Sequence, residues 1–216
     1  MEHIVKIIAI HDVTHNVKSF RVEKPANYVF TPGQATDVSI NKKGWKNELR
    51  PFTFTCLNED PYLEFTIKGY KDHNGVTNQL HQLKVGDELI IRDVWGAISY
   101  KGEGYFIAGG AGITPFIAIL RQLKKENKIQ GNKLFFSNKT TADIILKDEL
   151  LSILGKDAIF ICTDEDKRHI DEAFIKKEVS DFTKHFYVCG PDKMIADINK
   201  ILTTLGASPD TVVFEK

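Results

Sequence analysis

Glycines cluster where an apolar run gives way to helical spacing in the segment Tyr105-Phe-Ile-Ala-Gly-Gly-Ala-Gly-Ile-Thr-Pro115. Phe106, Ile107 and Ala108 read as a buried strand, and Gly109, Gly110 and Gly112 permit a tight turn with no side chain in the way of a ligand. Thr114 and Pro115 suit the start of a helix, which Phe116, Ile117, Ile119, Leu120 and Leu123 continue. The unbonded N–H groups and positive dipole end of that helix would face whatever the glycines admit. That is the chemistry of a phosphate cradle, and it fits a dinucleotide pyrophosphate. About eighty residues on, Phe186-Tyr-Val-Cys-Gly-Pro-Asp-Lys-Met194 is a second apolar strand ending in small residues before a helix. In an open parallel sheet the carboxyl ends of the strands share one rim, so Gly109–Thr114 and Cys189, Gly190 and Pro191 are expected to line one crevice.

The elements that must position these residues follow from the period of the apolar pattern, which changes once along the chain. Over the first ~95 residues it is two, as in Val5/Ile7, Phe20/Val22, Val38/Ile40, Phe52/Phe54, Leu63/Phe65/Ile67 and Leu89/Ile91. Turn residues punctuate this half, and Val76–Leu83 is its one stretch of helical spacing, which together predict a small antiparallel barrel. After Gly102, strands over 104–109, 132–137, 158–163, 185–189 and 211–214 alternate with helices over 115–127, 146–154, 170–179 and 191–205. This alternation predicts an α/β domain wound on a parallel sheet. The expected division is residues 1–101 and 102–216.

Composition narrows the partners. With 29 basic and 29 acidic side chains the chain carries no formal net charge, so neither nucleic acid nor an anionic membrane surface is implied. The start, Met1-Glu-His-Ile-Val-Lys-Ile-Ile-Ala-Ile10, alternates charge with apolar residues and lacks a leader pattern, and no apolar run approaches the ~20 residues of a membrane span. The expectation is a soluble, cytoplasmic protein of open oligomeric state. Cys56, Cys162 and Cys189 are too far apart for a disulfide framework or a metal site, so any electron carrier is expected to be organic and non-covalent.

In the first half Arg50-Pro-Phe-Thr-Phe54 demands an explanation. Simple alternation puts Arg50, Phe52 and Phe54 on one face and Thr53 on the other, while Pro51 points to an edge or a bulge. An Arg can fork onto a phosphate, an aromatic can lie on a planar ring, and a hydroxyl can bond a ring nitrogen. Further on, Asn74-Gly-Val-Thr-Asn78 opens the predicted helix with small residues and a hydroxyl, a second place suited to an anion.

Across essentially its whole length the chain resembles the ferredoxin–NADP(+) reductase superfamily, in which an antiparallel flavin-binding barrel precedes a nucleotide domain. Arg50-Pro-Phe-Thr53 resembles that family's Arg-x-Tyr-Ser/Thr motif, which implies Arg50 on the flavin phosphate, Phe52 against its ring or ribityl side and Thr53 near N5. Phe for Tyr keeps the stacking surface and removes a hydroxyl. Gly75, Val76, Thr77 and Asn78 resemble the second phosphate motif, Leu63–Tyr70 the strand that edges the isoalloxazine, and Tyr70 offers an adenine platform. Gly109–Pro115 resembles the Gly-x-Gly-x-Thr-Pro nucleotide loop, and Cys189-Gly190-Pro191 the Cys-Gly motif beside the nicotinamide. Family members often end Glu-x-aromatic; here Glu215 matches and the final ring is missing, so the flavin's far face is either more open or covered by Phe214 or another side chain.

The resemblance implies hydride transfer from NADPH or NADH to FAD, rather than FMN, and onward delivery of electrons to a ferredoxin, a flavodoxin or another acceptor. Thr53, Cys189 and Glu215 are the candidates for positioning the reacting atoms. Ser137 and Lys139, after the second strand of the nucleotide domain, favour the extra phosphate of NADPH, whereas Asp164-Glu-Asp166 argues for NADH if it folds inward. The alternative is a flavin- and nucleotide-binding electron-transfer subunit that turns over little alone.

Overall fold

The structure, a computed structural model, describes residues 1–70 and 74–214. Strands β1 (His3–Thr14), β2 (Val17–Glu23), β3 (Ala35–Ile40), β4 (Arg50–Thr53), β5 (Tyr62–Lys68) and β6 (Glu88–Trp95) form an antiparallel sheet in the order β4-β3-β6-β1-β2-β5. Alternate residues such as Val5, Ile7, Phe20, Val22, Leu63, Phe65, Leu89 and Ile91 are buried, so the period of two in the sequence becomes the inside of a barrel. The sheet curls until its edge strands meet. Phe54 bridges Phe65 of β5, and the Thr55 N–H donates to the Glu64 carbonyl at 2.8 Å. This crossing breaks the expected alternation: Arg50 and Pro51 are exposed and Phe52 half-buried, but both Thr53 and Phe54 are buried because the chain leaves β3 there and turns inward. Pro51 sits on an edge strand, where its missing N–H costs no ladder bond. Helix α1 (Val76–Leu80) buries Val76 and Leu80 against the barrel. The predicted helical stretch to Leu83 continues only as tight turns.

The second half runs β7 (Gly104–Gly109), α2 (Thr114–Lys125), β8 (Lys133–Asn138), α3 (Lys147–Leu154), β9 (Ala158–Cys162), α4 (Glu172–Glu178), β10 (His185–Cys189), α5 (Asp192–Thr204) and β11 (Val212–Phe214). Its sheet is parallel, ordered β11-β10-β7-β8-β9. Every residue of β7 is buried: Phe106 and Ala108 pack towards α2 and α3, and Tyr105 and Ile107 towards α4 and α5. The chain builds outward from β7 through β8 and β9, then crosses to β10 on the other side, so the winding reverses between β7 and β10. Ligands of such sheets bind at that reversal.

An apolar cluster and a buried ion network are among the contacts that hold the halves together. Val17 of β2 and Ile98 join Phe116 and Ile119 of α2 in one apolar cluster. Beside them Arg121 of α2 donates from Nε and Nη2 to both carboxylate oxygens of Glu149 (2.6 and 2.9 Å) and from Nη1 to the Thr55 carbonyl (2.5 Å) and Glu64 Oε1 (2.8 Å). Glu64, only 4% exposed, also accepts from Arg21 Nε at 2.9 Å and Thr55 Oγ1 at 3.0 Å. The linker is pinned separately. The Lys101 and Gly102 N–H groups donate to the Tyr187 hydroxyl (2.8 and 3.0 Å), which donates to the Gly102 carbonyl at 2.7 Å.

Burial pushes the Glu64 carboxyl up, but hydrogen bonds and charge from Arg121, with help from Arg21 and Thr55, outweigh it and hold the group below its ordinary value. A carboxylate with a lowered folded pKa contributes stability that is present above its unfolded pKa and is lost as pH falls through the lower folded value. Arg121→Met strips Glu64 of its main partner and should lower unfolding free energy by about 3 kcal/mol at neutral pH. In urea titrations from pH 7 to 3 the variant should also lose less stability on acidification than the parent. Equal slopes would show that Glu64 does not depend on Arg121.

Candidate active site

A cleft of about 820 Å³ opens between the barrel and the carboxyl ends of the parallel strands. Its barrel wall carries Phe52 and Thr53 of β4, Thr66 and Lys68 of β5, Trp95 of β6 and Thr77 of α1. Ala35 of β3 pairs with both Thr53 and Trp95, so the ends of three adjacent strands form one row at the mouth. Phe52 rests half-buried on the barrel core, and the Thr53 hydroxyl makes no hydrogen bond among the described residues. A flat ring laid on this wall would meet an aromatic face and an uncommitted hydroxyl together.

The opposite wall is built from the turns after β7, β8 and β10. Its glycines divide the work unequally. A Cβ on Gly112 would stand 2.3 Å from the Cys189 carbonyl oxygen, and one on Gly109 would stand 2.5 Å from Met194 Sδ, so these two let the β7 and β10 turns touch. A Cβ on Gly110 would meet nothing within 4 Å, and its φ of +52° is the left-handed region that favours glycine. Gly110 therefore carries the open approach to the helix start, while Thr114 Oγ1 closes the turn by donating to the Ala111 carbonyl at 3.0 Å. These features fit a pyrophosphate: exposed backbone at the amino end of α2, with no side chain above it.

Most of the residues singled out in the sequence meet here. Pro51, Phe52, Thr53, Tyr70, Thr77, Gly109, Gly110, Gly112, Thr114, Ser137, Lys139, Cys189, Gly190 and Pro191 all line the cleft. Arg50 is exposed one residue outside it, and its Nη1 donates to the neighbouring Leu49 carbonyl. Gly75 and Asn78 lie off the lining, whereas Val76 and Pro115 are packed into the cores of their domains. Glu215 lies outside the described residues. Phe214 packs against the α4/α5 core cluster. Thr66 and Lys68, within the Leu63–Tyr70 strand expected to edge the flavin, line the cleft too, as do Trp95, Asn138, Asp143 and Met194, which were not singled out. No local signal marks Trp95, since an aromatic ending a strand reads equally as core.

The acidic run after β9 folds towards the loop after β8. The Thr141 N–H and hydroxyl donate to Glu165 (2.8 and 2.7 Å), and the Asp164 N–H donates to the Lys139 carbonyl at 2.9 Å. Those bonds from Thr141 hold the Glu165 carboxyl below its ordinary value. Asp143 caps the same loop; burial pushes its carboxyl up, but bonds from Thr140 and the charges of Lys68 and His15 prevail and lower it. Lys139 shares the cleft lining with Lys68, Asp143 and Asp192, whereas Asp164 and Glu165 lie off it. Among the described residues, no helix is long and apolar enough to cross a membrane.

Residues 4–100 match the oxidoreductase FAD-binding domain family, and residues 106–200 the oxidoreductase NAD-binding domain family. The chain belongs to the ferredoxin–NADP(+) reductase superfamily of flavin- and pyridine-nucleotide-dependent oxidoreductases. NADH-cytochrome b5 reductase 2-A of Vanderwaltozyma polyspora is 31% identical over 86% of this chain and 70% of its own length. The reductase component of propane 2-monooxygenase from Rhodococcus jostii is 26% identical over 98% of this chain, which spans 62% of that relative. A ferredoxin NADP+ reductase from Neisseria gonorrhoeae, solved with FAD and NADP, has the same fold: its TM-score is 0.85 at 18% identity, covering 99% of this chain and 98% of its own. The FAD/NAD-binding domain of a Vibrio cholerae nitric oxide dioxygenase likewise gives a TM-score of 0.85 at 20% identity, covering 98% and 97%.

Gly112→Ala tests the sheet-side wall. The added methyl meets backbone, which cannot rotate aside, so the β7 and β10 turns must separate. NAD+ affinity should fall by roughly tenfold or more, while flavin content, read from visible absorbance, stays normal. Unchanged NAD+ affinity would mean that the contact of the two turns is not needed for the site.

Proposed function

We propose that this chain is an NADH-dependent flavin reductase that delivers electrons to a separate one-electron carrier, the class that includes ferredoxin, flavodoxin and cytochrome b5. The observation that carries this reading is the single cleft in which Phe52 and Thr53 face the glycine turn and Cys189. In this reading residues 1–101 hold FAD and residues 102–216 hold the dinucleotide. A flavin there supplies a hydride acceptor at N5 and a reservoir of two electrons.

The chain's own residues have the following parts. Arg50, exposed one residue outside the cleft, would leave the Leu49 carbonyl to meet the flavin phosphates, and Thr77, the residue of the Gly75–Asn78 segment that lines the cleft, would bond them. Phe52 would lie against the ring system, and the Thr53 hydroxyl would hold its N5 edge by a hydrogen bond. Tyr70, about half exposed, offers a face for the adenine. Gly110 and the amino end of α2 receive the pyrophosphate of the second dinucleotide. Cys189, only 5% exposed on the adjacent turn, excludes water from the nicotinamide face and fixes its approach. Most of the rate gain comes from holding donor and acceptor in contact, because the protein carries no part of the hydride itself.

The preference for NADH is supported by the carboxylate of Asp143, which shares the cleft lining with Lys139 and would oppose a 2′-phosphate. Two of the curated relatives are also named as NADH reductases. The purified protein should be yellow and should bleach when titrated anaerobically with NADH. At limiting nucleotide the rate with NADH should exceed that with NADPH by about tenfold or more. Faster bleaching by NADPH would assign Ser137 and Lys139 to the 2′-phosphate instead, and a protein that takes up no flavin would make it a binding subunit.

Cys189→Ala should retain flavin and slow the reductive phase in anaerobic stopped-flow, with nucleotide affinity changed less than rate. A variant that reduces at the parent's rate and merely melts earlier would return Cys189 to the role of a small buried apolar side chain.

A further inference from the structure

Thr53, Ala35 and Trp95 stand opposite one another on the neighbouring strands β4, β3 and β6, so their side chains leave the sheet on the same side. All three line the cleft. One step back in the register, Phe52 and Val94 pack instead against the barrel core, as the alternation of a strand requires. Thr53 and Ala35 are short and buried, whereas the Trp95 indole rises beside them and is 38% exposed. The row makes a low floor about 9.6 Å long, two strand spacings, with a tall aromatic step at one end.

An indole carries a large apolar surface and an N–H that finds an acceptor when the ring is buried. Trp95 is unmatched on both counts. Among the described residues it belongs to none of the three apolar clusters, no aromatic ring lies against it, and its Nε1 donates no hydrogen bond. The other aromatics of the lining are placed differently: Phe52 rests on the barrel core, and Tyr70 follows β5, which meets β4 on the side away from β3. The opposite wall contributes no aromatic side chain to the lining. A planar ring system with one edge at the Thr53 hydroxyl would therefore cross Ala35 and meet the indole at its other end. Ala35 keeps the floor low between them.

We propose that Trp95 holds the flavin ring system on the barrel wall, its indole lying against the end of the ring remote from Thr53. The contact comes from the barrel side, so the flavin face towards Cys189 stays open to the nicotinamide. The proposal rests on the reading of the cleft as a flavin site. Trp95 is a binding residue in this scheme and takes no part in hydride transfer.

The chain has two tryptophans, and the other, Trp45, is half-buried against the barrel core, so each can be replaced alone. An indole in contact with an excited flavin gives it one electron and takes that electron back, which removes flavin emission with no net reaction; a phenyl ring does not. Emission of bound FAD and affinity for FAD are measured for the parent, Trp95→Phe, Trp95→Ala and Trp45→Phe. Bound FAD should be nearly dark in the parent and in Trp45→Phe. It should be several-fold brighter in Trp95→Phe, which keeps a ring and should hold FAD within about threefold of the parent. Trp95→Ala should be as bright as Trp95→Phe and bind FAD about tenfold more weakly than the parent. The proposal is overturned if bound FAD emits equally in the parent and both Trp95 variants, or if Trp95→Ala binds FAD as tightly as the parent. An equal loss of affinity in Trp45→Phe would mark a general response of the barrel and overturn it as well. A parent that takes up no flavin would instead refute the flavin reading, and this proposal with it.

Discussion

Arg121 sits where the two domains must agree on a distance. It lies on the helix whose first turn carries Thr114, and its guanidinium grips the barrel at Thr55 and Glu64, the residues next to the Phe54–Phe65 bridge that closes the barrel. Three consecutive residues therefore do three jobs: Thr53 faces the cleft, Phe54 closes the barrel, and Thr55 receives the neighbouring domain. Hydride transfer tolerates little error in the gap between donor and acceptor. A fork of charge-assisted bonds through a buried carboxylate resists sliding in a way that the apolar cluster of Val17, Ile98, Phe116 and Ile119 does not, because its geometry is directional.

The same network shows how a buried ion cluster is tolerated. Glu64 accepts from Arg121, Arg21 and Thr55, and Arg121 spreads its donors over Glu149, Glu64 and a carbonyl. With each charge met by several partners, the desolvation cost is offset locally, and the arrangement specifies one docking of barrel on sheet rather than a range. Asn138 is the opposite case in the same molecule. Its amide is buried at the cleft with no hydrogen-bond partner among the described residues.

Glycine has two distinct uses at the nucleotide turn. Gly109 and Gly112 allow two strand ends to touch, and only Gly110 leaves space over the backbone. A glycine-rich run is thus not uniformly a ligand surface. Most of it serves the packing that brings Cys189 to within contact of the β7 turn, and one member supplies the approach.

How much of this was legible in the sequence follows from the range of the interactions involved. Strand and helix periods, the change of period after Gly102 and the glycine turns are local, set by which residues alternate and which can bend the chain, so the barrel, the parallel sheet and the Gly109–Thr114 and Cys189–Pro191 turns could be read directly. The alternation failed at Thr53 and Phe54, where closure of the barrel, a contact between residues of β5 and the end of β4, overrode the local pattern. The rest of the site was set at longer range. Trp95, Lys68, Asn138 and Asp143 reach the cleft only because the sheet curls, the domains dock through Arg121 and the loop after β9 ties back onto the loop after β8. The elements and the glycine turns at the strand ends were readable from the chain, since these depend on neighbours along it. Which side chains share the cleft and which glycine stands open were settled only by tertiary structure, because each depends on groups far apart in the chain.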